Sequence, residues 1–236
     1  YLQLNPAFEP GSTLHDLATS GVIDPVTAKF FGENIRLYKH QEEALTIAQN
    51  DDPYVVTTGT GSGKSLTYLI PIYDSIVKSD PSDHSVRSII VYPMNALINS
   101  QLEALEDYAR RSGQTGVRFQ KYTGDVRGEA RDQILQDPPH ILLTNYVMLE
   151  YMLLRPAERT LLAKATEALK HLVIDELHFY RGRQGADVSM LLRRVQQKAG
   201  RSLQVIGTSA TVASGSTRQE IRKKVGDVSS KLFGVT

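Results

Sequence analysis

Six short apolar runs rich in β-branched residues constrain this chain most. They lie at residues 53–57, 86–92, 117–122, 140–144, 171–175 and 203–207. Runs that stay apolar on consecutive positions are buried on both faces, the habit of strands in a sheet covered by helices. The intervening stretches supply such helices. Leu66, Leu69, Ile70, Tyr73 and Val77 recur at helical spacing, as do Ile98, Leu102, Leu105 and Ala109, and again Val188, Leu191, Leu192 and Val195. This alternation predicts an α/β fold with a mainly parallel sheet. Pro71 falls inside the first stripe and predicts a kink rather than a break. Residues 80–85 (DPSDHS) and 113–116 (GQTG) read as surface loops, and 212–236 as a polar helical tail. Residues 1–36 read as an N-terminal helical extension to a single domain over 37–236.

Bulk properties exclude several classes. The 236 residues suffice to bury a core, and 41% hydrophobic with 22% charged residues is ordinary for a globular protein. Net charge is +1, so any basic surface must be local. There is no cysteine, hence no disulfide, thiolate metal site or cysteine nucleophile. That fits a reducing compartment, and a cytoplasmic location is expected. No apolar stretch approaches the roughly 20 residues of a membrane span, and no signal peptide opens the chain. The first residue is Tyr1 rather than Met, which suggests a segment of a longer polypeptide.

The strongest local signal is YVVTTGTGSGKSLTYLI at 54–70, an apolar strand running through a glycine-rich turn into an amphipathic helix. Gly59, Gly61 and Gly63 allow a tight turn whose N–H groups point at one anion, and the helix N-terminus adds its dipole. Thr58, Thr60 and Ser62 complete the cradle. Lys64 would neutralise the β- and γ-phosphates of a nucleotide, and the Ser65 hydroxyl would join the Mg²⁺ shell. The strict G-x-x-x-x-G-K-[ST] pattern wants glycine where Thr58 stands. A dinucleotide fingerprint fails because Lys64 occupies a required glycine, and no G-x-S-x-G elbow is present.

A second signal is HLVIDELHFYRG at 171–182, an apolar strand that ends in Asp175 and Glu176. Acids at a strand end often mean only that the strand has reached solvent. A triphosphate with Mg²⁺, however, needs one acid to fix the metal and another to align water. Parallel sheets bind ligands beyond the carboxyl ends of their strands, where the glycine loop also lies. Asp175 is therefore the expected Mg²⁺ holder and Glu176 the expected general base.

Asp175-Glu176-Leu177-His178 resembles motif II of superfamily 2 helicases, the DEAD/DEAH-box group, as a DELH variant. Other segments resemble that family's motifs in order: TGTGSGKS (58–65), YPMNALINSQ (92–101), YTGD (122–125), LLTNYVMLE (142–150), TSAT (208–211) and YKHQEEAL (38–45). The match covers roughly residues 38–211. It implies the first RecA-like P-loop NTPase domain of such an enzyme, with ATP and Mg²⁺ as cofactors. Gln41 would read the adenine edge. Pro93, Asn95, Thr123, Gly124, Thr144 and Asn145 would grip a nucleic-acid backbone through phosphate and sugar, with little sequence information. His178, Ser209 and Thr211 would couple the two sites. Phe30, Phe31 and Tyr38 all qualify as the adenine's aromatic partner, and Phe30 and Phe31 equally suit simple core packing. Arg181, beside Gly182 and Arg183, would meet phosphate or belong to a solvated loop. The closest resemblance is to the branch of MrfA-like DNA-repair helicases and the helicase subunit of DISARM-type phage-defence systems.

In that family hydrolysis requires arginines from a second RecA-like domain, in the same or another chain. The segment alone is thus expected to bind ATP weakly and turn it over poorly. The leading reading is an ATP-driven motor on nucleic acid, with DNA favoured over RNA. A non-motor ATP switch acting on a partner protein is the rival; Ser209, Thr211 and the TGD segment favour the motor, because a switch has no use for a strand-gripping face. An inactive scaffold is disfavoured by intact Lys64, Asp175 and Glu176. No metal beyond Mg²⁺ is expected, since no histidine cluster has ligand spacing.

Overall fold

Each of the six apolar runs is a strand in the computed structural model, which describes residues 8–59, 61–79, 83, 85–113, 116–180, 182–210, 230 and 233. In chain order the elements are β1 (Pro10–Thr13), α1 (Leu14–Thr19), α2 (Pro25–Phe31), β2 (Arg36–Tyr38), α3 (Lys39–Gln49), β3 (Tyr54–Thr57) and α4 (Leu66–Lys78). There follow β4 (Ser88–Tyr92), α5 (Asn95–Ser112), β5 (Phe119–Lys121), α6 (Glu129–Gln136), β6 (Ile141–Asn145) and α7 (Tyr146–Leu154). The rest are α8 (Pro156–Ala168), β7 (His171–Ile174), a 3₁₀ turn at Leu177–Phe179, α9 (Gly182–Ala199) and β8 (Gln204–Ser209). The loops expected at 80–85 and 113–116 lie partly outside the described residues, and the tail expected at 212–236 almost wholly so.

The six strands form one sheet in the order β3-β8-β7-β4-β6-β5, with every neighbouring pair parallel. The two faces explain why the runs are continuously apolar. In β4, Ile90 and Tyr92 enter one buried cluster with Tyr73 and Ile98, while Ile89 and Val91 enter the other with Leu149, Leu161 and Leu192. Side chains alternate across a strand, so a sheet covered on both sides needs apolar residues at successive positions.

α4 runs unbroken through Pro71. A proline cannot donate to the carbonyl four residues earlier, here that of Thr67, and the buried Tyr54 hydroxyl donates to that carbonyl at 2.7 Å instead. The N-terminal region holds a strand beside its helices: β1 pairs antiparallel with β2. Leu14, Ile23, Phe30 and Phe31 share the core cluster of α4, and Phe30 stacks on Tyr73 with centroids 4.1 Å apart. Asp74 of α4 accepts hydrogen bonds from the Asp24 N–H at 2.6 Å and the Thr27 hydroxyl at 3.0 Å. No helix among the described residues is long and apolar enough to cross a membrane.

Candidate nucleotide site and strand-end face

The glycine loop joins β3 to α4 at the carboxyl edge of the sheet. Gly61 and Gly63 have φ of 79° and 68°, in the left-handed region that side chains avoid. Gly63 is doubly required, because a Cβ there would lie 2.6 Å from Gln41 Nε2. Gln41 is buried, and its amide braces the loop: Nε2 donates to the Gly63 carbonyl at 2.9 Å and Oε1 accepts from the Tyr38 N–H at 2.8 Å. His40 adds a second brace, its Nε2 lying 3.1 Å from the Ser62 carbonyl. Thr58 and Ser62 hydroxyls meet at 2.5 Å inside the turn. Lys64 is 8% exposed and donates to the carbonyls of Thr58 and Gly59 at 3.2 and 3.3 Å. Ser65 stands half-buried at the N-cap of α4, while Gly59 is exposed. Thr60 lies outside the described residues.

The acids arrive from the neighbouring part of the sheet. Glu176 Oε1 is 3.9 Å from Lys64 Nζ, so the phosphate loop and the strand end form one polar site. Asp175 is 7% exposed, and burial pushes its carboxyl up to about 6 even though the Thr208 hydroxyl donates to it at 2.5 Å. Glu176 adopts φ 53°, ψ 56°, left-handed for a side-chain-bearing residue, at a cost of about 1–2 kcal/mol. Its N–H donates to the same Thr208 hydroxyl at 3.1 Å. His178 Nδ1 lies 3.1 Å from Glu176 Oε2 and 3.4 Å from the Ser209 hydroxyl, linking motif II to the end of β8. Thr211 lies outside the described residues.

The strand-end face follows from β4-β6-β5. Tyr92 and Asn145 are paired in register, which brings the next residues together: Asn145 Nδ2 donates to Asn95 Oδ1 at 2.7 Å. Asn145 also caps α7 by accepting from the Met148 N–H at 2.8 Å. Asn95 and Gly124 are exposed and Pro93 is half-buried. Thr123 and Thr144 lie beneath the face rather than on it, at 1% and 0% exposure. Their hydroxyls serve Asp125 Oδ1 at 2.5 Å and the Tyr122 carbonyl at 2.7 Å. Hydrogen bonds from Lys121 and Thr123 hold the Asp125 carboxyl down at about 2, a fixed negative charge beside this loop. Arg181 lies outside the described residues.

Burial separates the three aromatic candidates. Phe30 and Phe31 are 1% and 2% exposed, deep in the core, whereas Tyr38 is 36% exposed beside Gln41. Tyr38 belongs to an aromatic group with Phe8 and His40, centroids 5.2 and 5.8 Å away. Sequence reasoning missed Phe8, His40 and Thr208. For His40 the signal was adjacency to Gln41; for Thr208 it was the strand register, which no short motif carries.

The chain is similar to known proteins in sequence and in fold. The family model described as DEAD/DEAH box helicase matches residues 38–219. The chain is 36% identical over 183 residues to the ATP-dependent helicase MJ1574 of Methanocaldococcus jannaschii, covering 75% of this chain and 26% of that protein. It is 28% identical to the Druantia protein DruE of Escherichia coli, covering 83% of this chain and 17% of that one. The crystal structure of the DUF1998 helicase MrfA bound to DNA superposes with a TM-score of 0.79 at 27% identity, over 97% of this chain and 30% of MrfA. The chain thus spans between 17% and 30% of the length of these relatives. Its six-stranded parallel sheet is RecA-like. The chain belongs to the DEAD/DEAH box helicase family.

Proposed function

We propose that this chain is the first RecA-like motor domain of an ATP-dependent helicase or translocase acting on nucleic acid, with DNA the favoured track. Residues 37–236 form the motor domain, residues 1–36 extend it, and a second RecA-like domain, in the same or another chain, completes the hydrolytic site. The carrying observation is the 3.9 Å approach of Lys64 to Glu176, which joins the phosphate loop to the acid pair. DNA is favoured because the MrfA structure of similar sequence holds DNA. The resemblance to the branch of MrfA-like DNA-repair helicases and DISARM-type phage-defence helicase subunits extends the reading to a role in DNA repair or antiviral defence.

In this reading the loop from Thr58 to Ser65, Thr60 included, cradles the phosphates with backbone N–H groups, and Lys64 offsets their charge. Tyr38 stacks on the base and Gln41 meets its edge. Ser65 and Asp175 suit Mg²⁺, a hard cation that takes oxygen ligands. Asp175 fits such an ion because its buried carboxyl has its charge discouraged by the protein alone. The ion, when bound, neutralises charge on the β- and γ-phosphates. Glu176 accepts the proton of the attacking water at a carboxylate oxygen, with its Oε2 held 3.1 Å from His178 Nδ1 and its Oε1 3.9 Å from Lys64 Nζ. Pro93, Asn95, Gly124 and Asn145 meet the nucleic-acid backbone, supported from below by Thr123 and Thr144, with Arg181 on a flanking phosphate. His178, Ser209 and Thr211 transmit the state of one site to the other.

The test is ATP hydrolysis by the full-length polypeptide with single-stranded DNA, duplex DNA or single-stranded RNA, beside Glu176→Gln. Strong stimulation by one DNA form is expected, with the variant falling by about 10²–10⁴-fold. Equal rates with and without every nucleic acid would overturn the motor reading and favour an ATP switch.

A further inference from the structure

We propose that Thr208 is a positioning residue that fixes both motif II acids through a single hydroxyl. The inference rests on the proposed hydrolysis for its kinetic consequence, but its geometric part stands separately. β7 and β8 pair from His171 with Gln204 up to Ile174 with Gly207. One step further, where that ladder stops, Asp175 and Thr208 lie opposite each other, and a side chain takes over from the backbone. The Thr208 hydroxyl donates to Asp175 Oδ1 at 2.5 Å and accepts the Glu176 N–H at 3.1 Å. Both of its roles are thereby used, as donor and as acceptor. Thr208 is fully buried, so no solvent competes for either bond.

The second bond has a particular consequence. Glu176 sits at φ 53° and ψ 56°, a conformation that a side-chain-bearing residue keeps only when its surroundings over-determine it. Two hydrogen bonds flank that peptide: the Thr208 hydroxyl takes the Glu176 N–H, and the Phe179 N–H donates to the Glu176 carbonyl at 3.0 Å. Releasing the first lets Glu176 relax toward ordinary backbone angles, and its carboxylate leaves the neighbourhood of Lys64. Threonine suits the task because β-branching restricts the rotation that aims the hydroxyl. The contact is distinct from the one between Ser209 and His178, which starts from the next residue of β8 and reaches the Glu176 carboxylate rather than its N–H. Thr208 acts through the acids, its hydroxyl being engaged by Asp175 Oδ1 and the Glu176 N–H.

The experiment compares Thr208→Val, which keeps the shape and removes the hydroxyl, with Thr208→Ser, which keeps the hydroxyl, in the full-length polypeptide. Nucleic-acid-stimulated kcat should fall about 10–100-fold in the valine variant, since displacement of a catalytic group by about 1 Å has that effect. KM for ATP should stay within about threefold, and serine should restore most of the rate. Independently of hydrolysis, hydrogen exchange of the Glu176 amide should speed by about tenfold or more in the valine variant and much less in the serine variant. Valine with wild-type kcat and wild-type amide protection would overturn the proposal. So would equal losses in both variants accompanied by equal drops in melting temperature, the mark of simple packing. If no protein hydrolyses ATP yet the exchange difference appears, the positioning stands and the motor reading fails.

Discussion

β7 is four residues long and has a buried titratable side chain at either end, His171 at its start and Asp175 just past its finish. Burial acts on both in the direction that removes charge, pushing the imidazole down to about 3 and the carboxyl up to about 6. Their surroundings differ. At the finish, Asp175 is tied to Thr208, Glu176 lies near Lys64, and His178 bridges towards Ser209. At the start, Ser88, His171 and Gln204 stand side by side in register on β4, β7 and β8. Among the described residues, Ser88 Oγ, His171 Nδ1 and Gln204 Oε1 find no hydrogen-bond partner. A cavity of about 390 Å³ opens onto His171 between the ends of α3 and α4, far from the phosphate loop. The two ends therefore teach different lessons about buried polarity. One is cross-linked around a position where charge arrives with a ligand; the other is a polar row that the fold tolerates.

The largest expected effect concerns the start of β7. The His171 pKa is depressed in the folded state, so its contribution is fully present above about 6.5 and is lost as pH falls towards 3. Urea unfolding from pH 7 to pH 4 should show an acid loss of about 3 kcal/mol from this group, and His171→Leu should flatten it. Identical slopes in both proteins would remove His171 from the account.

Next comes the finish. The Asp175 pKa is raised, so its contribution is present below about 3.8 and lost as pH rises through about 6. Asp175→Asn, unfolded at pH 8 without nucleotide or divalent metal, should be more stable than the wild type by about 1–3 kcal/mol while losing ATP hydrolysis. A less stable variant would mean that the buried carboxylate is fully compensated within the protein.

Smaller effects divide the polar row. Gln204 Nε2 donates to the Ala48 and Asp52 carbonyls at 3.0 and 2.9 Å, and Gln204→Leu should cost about 1–2 kcal/mol in denaturant unfolding. Ser88→Ala removes a hydroxyl with no hydrogen-bond partner among the described residues and should change stability by less than about 0.5 kcal/mol. A loss well above that would show that the hydroxyl is satisfied after all, and the contrast between the two ends of β7 would narrow.

Much of this was legible in the chain. Six apolar runs became six parallel strands because side-chain alternation in a doubly covered sheet leaves few alternatives. The glycine loop was legible because turn, strand and helix must be adjacent in sequence to make it, and Gly61 and Gly63 carry the positive φ that it demands. The acid pair was legible as a strand end. What the motifs could not say is which hydroxyls face outward. Thr123 and Thr144 belong to strand-end segments that resemble nucleic-acid contacts, yet they point inward to Asp125 and the Tyr122 carbonyl. Nor could spacing choose among Phe30, Phe31 and Tyr38; the packing of α2 against Tyr73 removed the first two from the surface.

By itself, then, the sequence determined the elements and their local chemistry: hydrophobic period, glycine freedom and charge at strand ends are properties of neighbouring residues. Only the tertiary structure decided strand order and register. Those set which hydroxyl meets which acid, since Thr208 reaches Asp175 only because β8 lies beside β7 with Gly207 opposite Ile174. A shift of one residue would turn that hydroxyl to the other face of the sheet, and no local signal in TSAT forbids it.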